Sequence, residues 1–81
     1  MNIFVANLNF KVTNDSLKEL FEAHGEVSSA KVVMDKATGR SKGFGFVEMP
    51  KDSEAKSAVS QLNNQDAFGR ALVVKEALPK E

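Results

Sequence analysis

Apolar and polar residues alternate with a period of two in four stretches of the chain and follow a helical period in two others. Residues 2–6 place Ile3 and Val5 on one side and Phe4 on the other, as a strand does. An asparagine-rich connection follows. Thr13 or Asn14 is suited to cap a helix, with Asp15 favourable in its first turn. Leu17, Leu20, Phe21 and His24 recur at i, i+3, i+4 and i+7, a single helical stripe. Gly25 is expected to take the left-handed position that ends this helix. A second strand is expected over 27–34, with Ala30, Val32 and Met34 alternating with Lys31 and Val33. A polar loop with a turn glycine, 35–41, leads to a third strand over 42–49, which Pro50 stops. Asp52 or Ser53 opens a second helix with Ala55, Ala58, Val59 and Leu62 as its inner stripe, and Asn63-Asn64 closes it. Gly69-Arg70 marks a tight turn before a last strand over 71–77, with Leu72 and Val74 facing inward.

The resulting order is β-α-β-β-α-β, the split βαβ or ferredoxin-like arrangement of the α+β class. Two helices cover one face of a four-stranded antiparallel sheet and leave the other face bare. In this topology the first and third strands form the central pair. In the third strand, Lys-Gly-Phe-Gly-Phe-Val-Glu-Met, residues two apart share a face. Burying Val47 and Met49 therefore turns Phe44 and Phe46 outward. Phe4 of the first strand joins them, so three phenylalanines far apart in sequence converge on one platform. Lys31, Lys42 and Lys75 fall on the same parity and are expected to rim it, and Glu48 shares that face. Neighbouring aromatics shown to water call for something flat to stack on them.

At 81 residues the chain is one small domain, with 42% hydrophobic content, enough for a globule. Without cysteine it has no disulfide framework and no thiolate metal site. The start, Met1-Asn2-Ile3-Phe4, lacks the basic region and apolar run of a signal peptide, and no stretch approaches a membrane span. A cytoplasmic location without membrane association is expected. Eleven basic residues balance eleven acidic ones, which argues against strong non-specific binding of duplex DNA. The charge is segregated, however. Residues 31–47 carry Lys31, Lys36, Arg40 and Lys42 against Asp35, and residues 14–26 carry Asp15, Glu19, Glu22 and Glu26 against Lys18. One face can thus attract an anion while the whole is neutral.

The string from Lys42 to Val47 resembles the RNP1 pattern of the RNA recognition motif family, Lys/Arg-Gly-Phe/Tyr-Gly/Ala-Phe-Val-x-Phe/Tyr. Every specified position agrees except the last, where Met49 stands in place of an aromatic, at an inward-facing site that a flexible apolar side chain can fill. Residues 3–8, Ile-Phe-Val-Ala-Asn-Leu, resemble the family's RNP2 segment. The resemblance extends over essentially the whole chain. It implies a recognition domain over 1–78 with a short tail, 79–81, similar to small single-domain bacterial members. It further implies a ligand of single-stranded RNA, with Phe4 and Phe44 each stacking a base and Phe46 packing against sugars. Lys42 and Arg40 are then expected to meet phosphate, with Lys31, Lys36 and Lys75 as further candidates. Base edges are expected to be read near Asn2 and by the main chain from Lys75 to Ala77. The small Gly43 and Gly45 leave room for a close ligand or a strand bend.

Two other functions use the same face: binding of single-stranded DNA, and burial of the aromatics by a protein partner. Phe10, Phe21 and Phe68 are expected to serve packing, and His24 to pack or cap a helix end. With one histidine, no cysteine and no metal-ligand spacing, there is little from which to build acid–base or nucleophilic catalysis. No enzyme activity, cofactor or metal is expected, and a monomer suffices.

Overall fold

A computed structural model of the chain describes residues 1–77. The elements are β1 (Asn2–Ala6), α1 (Asn14–Glu22), β2 (Ser29–Met34), β3 (Ser41–Glu48), α2 (Asp52–Leu62), β4 (Asp66–Ala67), β5 (Arg70–Ala71) and β6 (Val73–Ala77). Strands β2, β3, β1 and β6 lie in that order in one antiparallel sheet, with β1 and β3 at its centre. The architecture is the ferredoxin-like one. Leu78 and the tail expected over 79–81 lie outside the described residues.

The alternation of β1 and β3 builds the core. Ile3 pairs with Val47 and Val5 with Gly45, and Ile3, Val5, Val47 and Met49 are all buried. Helix α1 lays Leu17 and Phe21 on them, and α2 adds Ala55, Ala58 and Leu62. No charged or polar residue is buried among those described. Thr13 is the N-cap of α1: its Oγ1 accepts from the Ser16 N–H at 3.1 Å. The Asn14 Oδ1 accepts from the Val32 N–H at 2.8 Å, tying the start of α1 to β2. At the far end of α2 the Asn63 Oδ1 accepts from the Val74 N–H at 3.0 Å, tying that helix to β6.

Gly45 decides how closely α1 can lie on the sheet. A Cβ at this position would stand 2.5 Å from the Lys31 carbonyl oxygen and 3.2 Å from Leu17 Cδ2. The space it leaves is therefore taken by the neighbouring strand and the helix, and not by a ligand. Gly43 is different: its φ of +84° bends the start of β3, and its carbonyl accepts from the Leu8 N–H at 2.9 Å.

Several local expectations are corrected. Helix α1 ends at Glu22 with Ala23 as its right-handed C-cap, so Gly25 is not the left-handed terminator. A Cβ on Gly25 would lie 2.6 Å from the Cβ of Glu54, whose carboxylate accepts from the Glu26 N–H at 3.0 Å. Close approach to α2 is what requires glycine there. Met34 is 52% exposed and does not continue the inward set of Ala30 and Val32, because the β2–β3 register shifts between Val32 and Met34. The last strand is preceded by a small hairpin, β4–β5, turning on Phe68 and Gly69 at φ +55° and +82°. Two central residues with positive φ match the twist of a two-residue hairpin, but a phenylalanine is an uncommon occupant of that conformation. Phe10 is 62% exposed, and Phe68 is also partly exposed. Phe21 alone of those three is a core residue.

Gly45→Ala is expected to overpack the contact between α1, β2 and β3 by about 3 kcal/mol, the upper end for inserted core methyls. A thermal melt should show the midpoint falling by more than about 10 °C. Thr13→Ala removes an exposed cap bond and is expected to cost about 1 kcal/mol in a urea titration, with the slope unchanged.

Candidate nucleic-acid interface

The cross-strand register arranges the uncovered face in rows. Lys31 pairs with Phe46, Phe46 with Phe4, and Phe4 with Lys75. Two lysines thus bracket two phenylalanines across all four strands, a span of about 14 Å at ordinary strand spacing. The next row toward the start of β1 is Ser29, Glu48, Asn2 and Ala77. On the other side of the ring row, Phe44 pairs with Ala6, and Ala6 with Val73. The small Ala6 leaves Phe44 free to lean along the diagonal to Phe4.

The three rings touch one another. Centroids of Phe4 and Phe44 are 5.8 Å apart, those of Phe4 and Phe46 5.6 Å, and those of Phe44 and Phe46 6.4 Å. These separations lie in the range of favourable aromatic pairs. The ring planes differ by 43°, 55° and 90° respectively. They offer three differently aimed surfaces, and a flat group lying on Phe46 meets Phe44 edge-on. Phe46 is the most open at 45% exposure, while Phe4 and Phe44 are half-buried.

The basic residues divide into two groups. Lys31 and Lys75 flank the rings directly. Lys36, Arg40 and Lys42 belong to the β2–β3 connection and the first residues of β3, and all three are exposed. That connection closes on itself: the Asp35 N–H donates to the Arg40 carbonyl at 2.7 Å, and the Asp35 carboxylate accepts from the Ala37 N–H at 2.8 Å. Residues 42–44 all stand opposite Val33 between the pairs Val32–Gly45 and Met34–Ser41. The alternation that would seat Lys42 beside the rings is interrupted there, so its place on the rim does not follow from parity.

Beside Phe46 the face sinks into a hollow of about 380 Å³, lined by Asn2, Ser29, Lys31, Phe46, Glu48 and Ala77. Glu48 forms no ion pair within 4.0 Å among the described residues, so neither Lys31 nor Lys75 is in direct contact with its carboxylate. At the opposite end, one residue past Ala6, the Asn7 side-chain amide donates to the Ala71 carbonyl at 2.7 Å. The Arg70 guanidinium donates to the Asn7 Oδ1 at 3.4 Å. This clasp brings a further cation to the Phe44 end of the platform. Sequence reading missed both features, because each depends on which strands and turns meet. Their one visible trace was the shared parity of Asn2 and Glu48 with the rings.

The pattern of the RNA recognition motif family matches residues 3–73. Over all 81 residues the chain is 42% identical to RbpB of Nostoc sp. and spans 79% of that protein's length. It spans about 30% of the length of chloroplast ribonucleoproteins to which it is 46% identical. The crystal structure of the RNA binding protein PG1 superimposes with a TM-score of 0.96 at 48% identity, covering 100% of this chain and 98% of that one. A Sxl-lethal protein–RNA complex superimposes with a TM-score of 0.88 at 37% identity over 94% of this chain and 47% of that one. The ring platform on the open sheet face, the Lys-Gly-Phe-Gly-Phe-Val string that carries two of its rings, and these likenesses together make the chain a member of the RNA recognition motif family.

Proposed function

We propose that the protein binds single-stranded RNA by stacking unpaired bases on the Phe4, Phe44 and Phe46 platform. The observation that carries this reading is the mutual tilt of the three rings. Bases lying on surfaces inclined by 43° to 90° cannot also stack on one another. The ligand must be a strand whose bases are splayed apart, the usual target of sequence-reading RNA modules. A duplex keeps its bases stacked and is refused.

The exposures reverse the roles expected of Phe44 and Phe46. Phe46 offers the largest ring surface and stacks a base, as does its cross-strand partner Phe4. Phe44 stands perpendicular to Phe46 and forms the third wall of the platform. Lys31 and Lys75, at the two ends of the ring row, meet the phosphates on either side. Lys36, Arg40 and Lys42 steer the strand from the β2–β3 connection. Asn2 and the main chain toward Ala77 lie one row away, within reach of base edges.

One copy carries the entire platform, so the proposal is a monomeric binding module of residues 1–78, acting in the cytoplasm without a cofactor and without catalysis of its own. No helix among the described residues is long and apolar enough to cross a membrane. Stacking is worth about 1–3 kcal/mol per base, so two stacked bases supply about 2–6 kcal/mol. With a few phosphate contacts, affinity is about micromolar or weaker.

Anisotropy titrations with a labelled short RNA at fixed salt test the reading. Phe46→Ala and Phe4→Ala should each weaken binding by about 5- to 150-fold, and a blunt RNA duplex should compete poorly. Unchanged affinity in both variants, with chemical shifts moving on the helices instead of the sheet, would point to a protein interface. A DNA strand of the same sequence measures how far the 2′-hydroxyl contributes. Across a salt series, log K should fall against log salt with a slope of about −2, as three phosphate contacts on a single strand require.

A further inference from the structure

The platform accounts for stacking, which tolerates any base, but it leaves the neighbouring row unexplained. In that row Glu48 puts a negative charge on a face meant for a polyanion, without a cation within ion-pair distance among the described residues. Its backbone is held on both sides. It pairs with Ser29 and Asn2 in the two adjacent strands, and its carbonyl accepts from the Ser28 N–H at 2.8 Å. The carboxylate therefore projects from a fixed point on the central pair of strands, at one end of the sheet. It lies two residues, about 7 Å, along β3 from Phe46, at the wall of the hollow that Phe46 borders.

We propose that this hollow is a base-reading subsite and that it selects guanine. The inference rests on the strand-binding function argued above and adds a base preference to it. An ionised carboxylate can only accept hydrogen bonds, so it favours a base edge with adjacent donors and rejects an edge with adjacent acceptors. Guanine presents N1–H and N2–H side by side, a match for the two carboxylate oxygens in charge-assisted, bidentate form. Its O6, next along the same edge, is an acceptor for the Lys31 ammonium, which lines the same hollow and has three N–H donors to share between the base and a phosphate. The other three bases fit less well. Uracil sets one donor between two carbonyl oxygens. Cytosine and adenine each offer one amino group followed by a bare ring nitrogen. The base that occupies the subsite lies on Phe46 and turns its Watson–Crick edge toward Glu48. Asn2 and Ser29 supply the remaining polar partners. The negative charge is thus a selectivity element: it discourages phosphate from settling at this end of the sheet and is compensated only when guanine arrives.

The test uses labelled pentanucleotides on a uridine background whose central base is guanine, adenine, cytosine, uracil or hypoxanthine, titrated by anisotropy at one salt concentration. For the wild type, the guanine strand should bind about 5- to 20-fold more tightly than the adenine, cytosine and uracil strands. This is the lower part of what a bidentate base contact supplies, as suits an exposed carboxylate. The hypoxanthine strand keeps N1–H and O6 but lacks the 2-amino group, and it should fall most of the way to the others. Glu48→Gln keeps the shape of the side chain, and its exposed position makes the fold indifferent to it. It should compress the spread among the five strands to within about twofold. Equal affinities for all five strands, a preference for another base, or a guanine preference that survives in Glu48→Gln would each overturn the subsite. Failure of the strand-binding function looks different: none of the five strands binds, or the all-uridine strand binds equally well to Phe46→Ala.

Discussion

Strand β1 meets β3 with Ile3 opposite Val47 and Phe4 opposite Phe46, and both halves of the molecule hang on that register. Below the sheet it lines up Ile3, Val5, Val47 and Met49 as the floor on which α1 and α2 rest. Above the sheet it sets three phenylalanine rings within 5.6–6.4 Å of one another. Because side chains alternate strictly, a slip of one residue would send the rings into the core and the aliphatic floor into water. The burial that stabilises the fold is thus also what holds the aromatics outward. Gly45 serves both sides of this arrangement. It makes room beneath the sheet for Leu17 and separates the two outward phenylalanines of β3 by the one step that keeps them on the same face.

A protein with balanced charge needs a reason to attract a polyanion, and the arrangement of charge supplies it. Lysines stand at both ends of the ring row. The β2–β3 connection carries Lys36, Arg40 and Lys42, and the hairpin clasp holds Arg70 against Asn7 at the other end. All these cations are at the surface, where salt screens them within about 10 Å. In the proposed binding mode they guide a strand to the face and weight its orientation, while the less screened stacking on the rings supplies most of the hold. Glu48 stands apart from this pattern as the acidic member of a row without a lysine, and on the proposed reading its negative charge makes that end of the face selective for what occupies it.

The parts of the site that were legible from sequence belong to regular alternation, and the parts that were not belong to its interruptions. Phe4, Phe46, Lys31 and Lys75 lie in unbroken strand segments, and Phe44 keeps its regular pairing with Ala6 on the β1 side, so their common face could be counted out residue by residue. Lys42 and Met34 lie at the register shift between β2 and β3, beyond which such counting loses its meaning. Gly25 looked like a helix terminator because glycine often is one, yet its requirement comes from Glu54 in the other helix. The β4–β5 hairpin was hidden because Phe68 occupies a left-handed position where asparagine or aspartate would have advertised the turn. Phe10 suggested packing by its chemistry, but its loop leaves it in solvent.

The order of elements, the inward and outward faces of each strand, the helical stripes and the Lys-Gly-Phe-Gly-Phe-Val string were determined by the sequence alone, since periodicity is a property of the local backbone. Which rings touch and how they tilt was decided by tertiary structure, as were the hollow beside Phe46, the clasp of Asn7 and Arg70, and the absence of an ion pair at Glu48 among the described residues. Those quantities depend on strand register, sheet twist and the register shift that spans residues 42–44. Each of these is set by packing between segments distant in the chain, which no local pattern encodes.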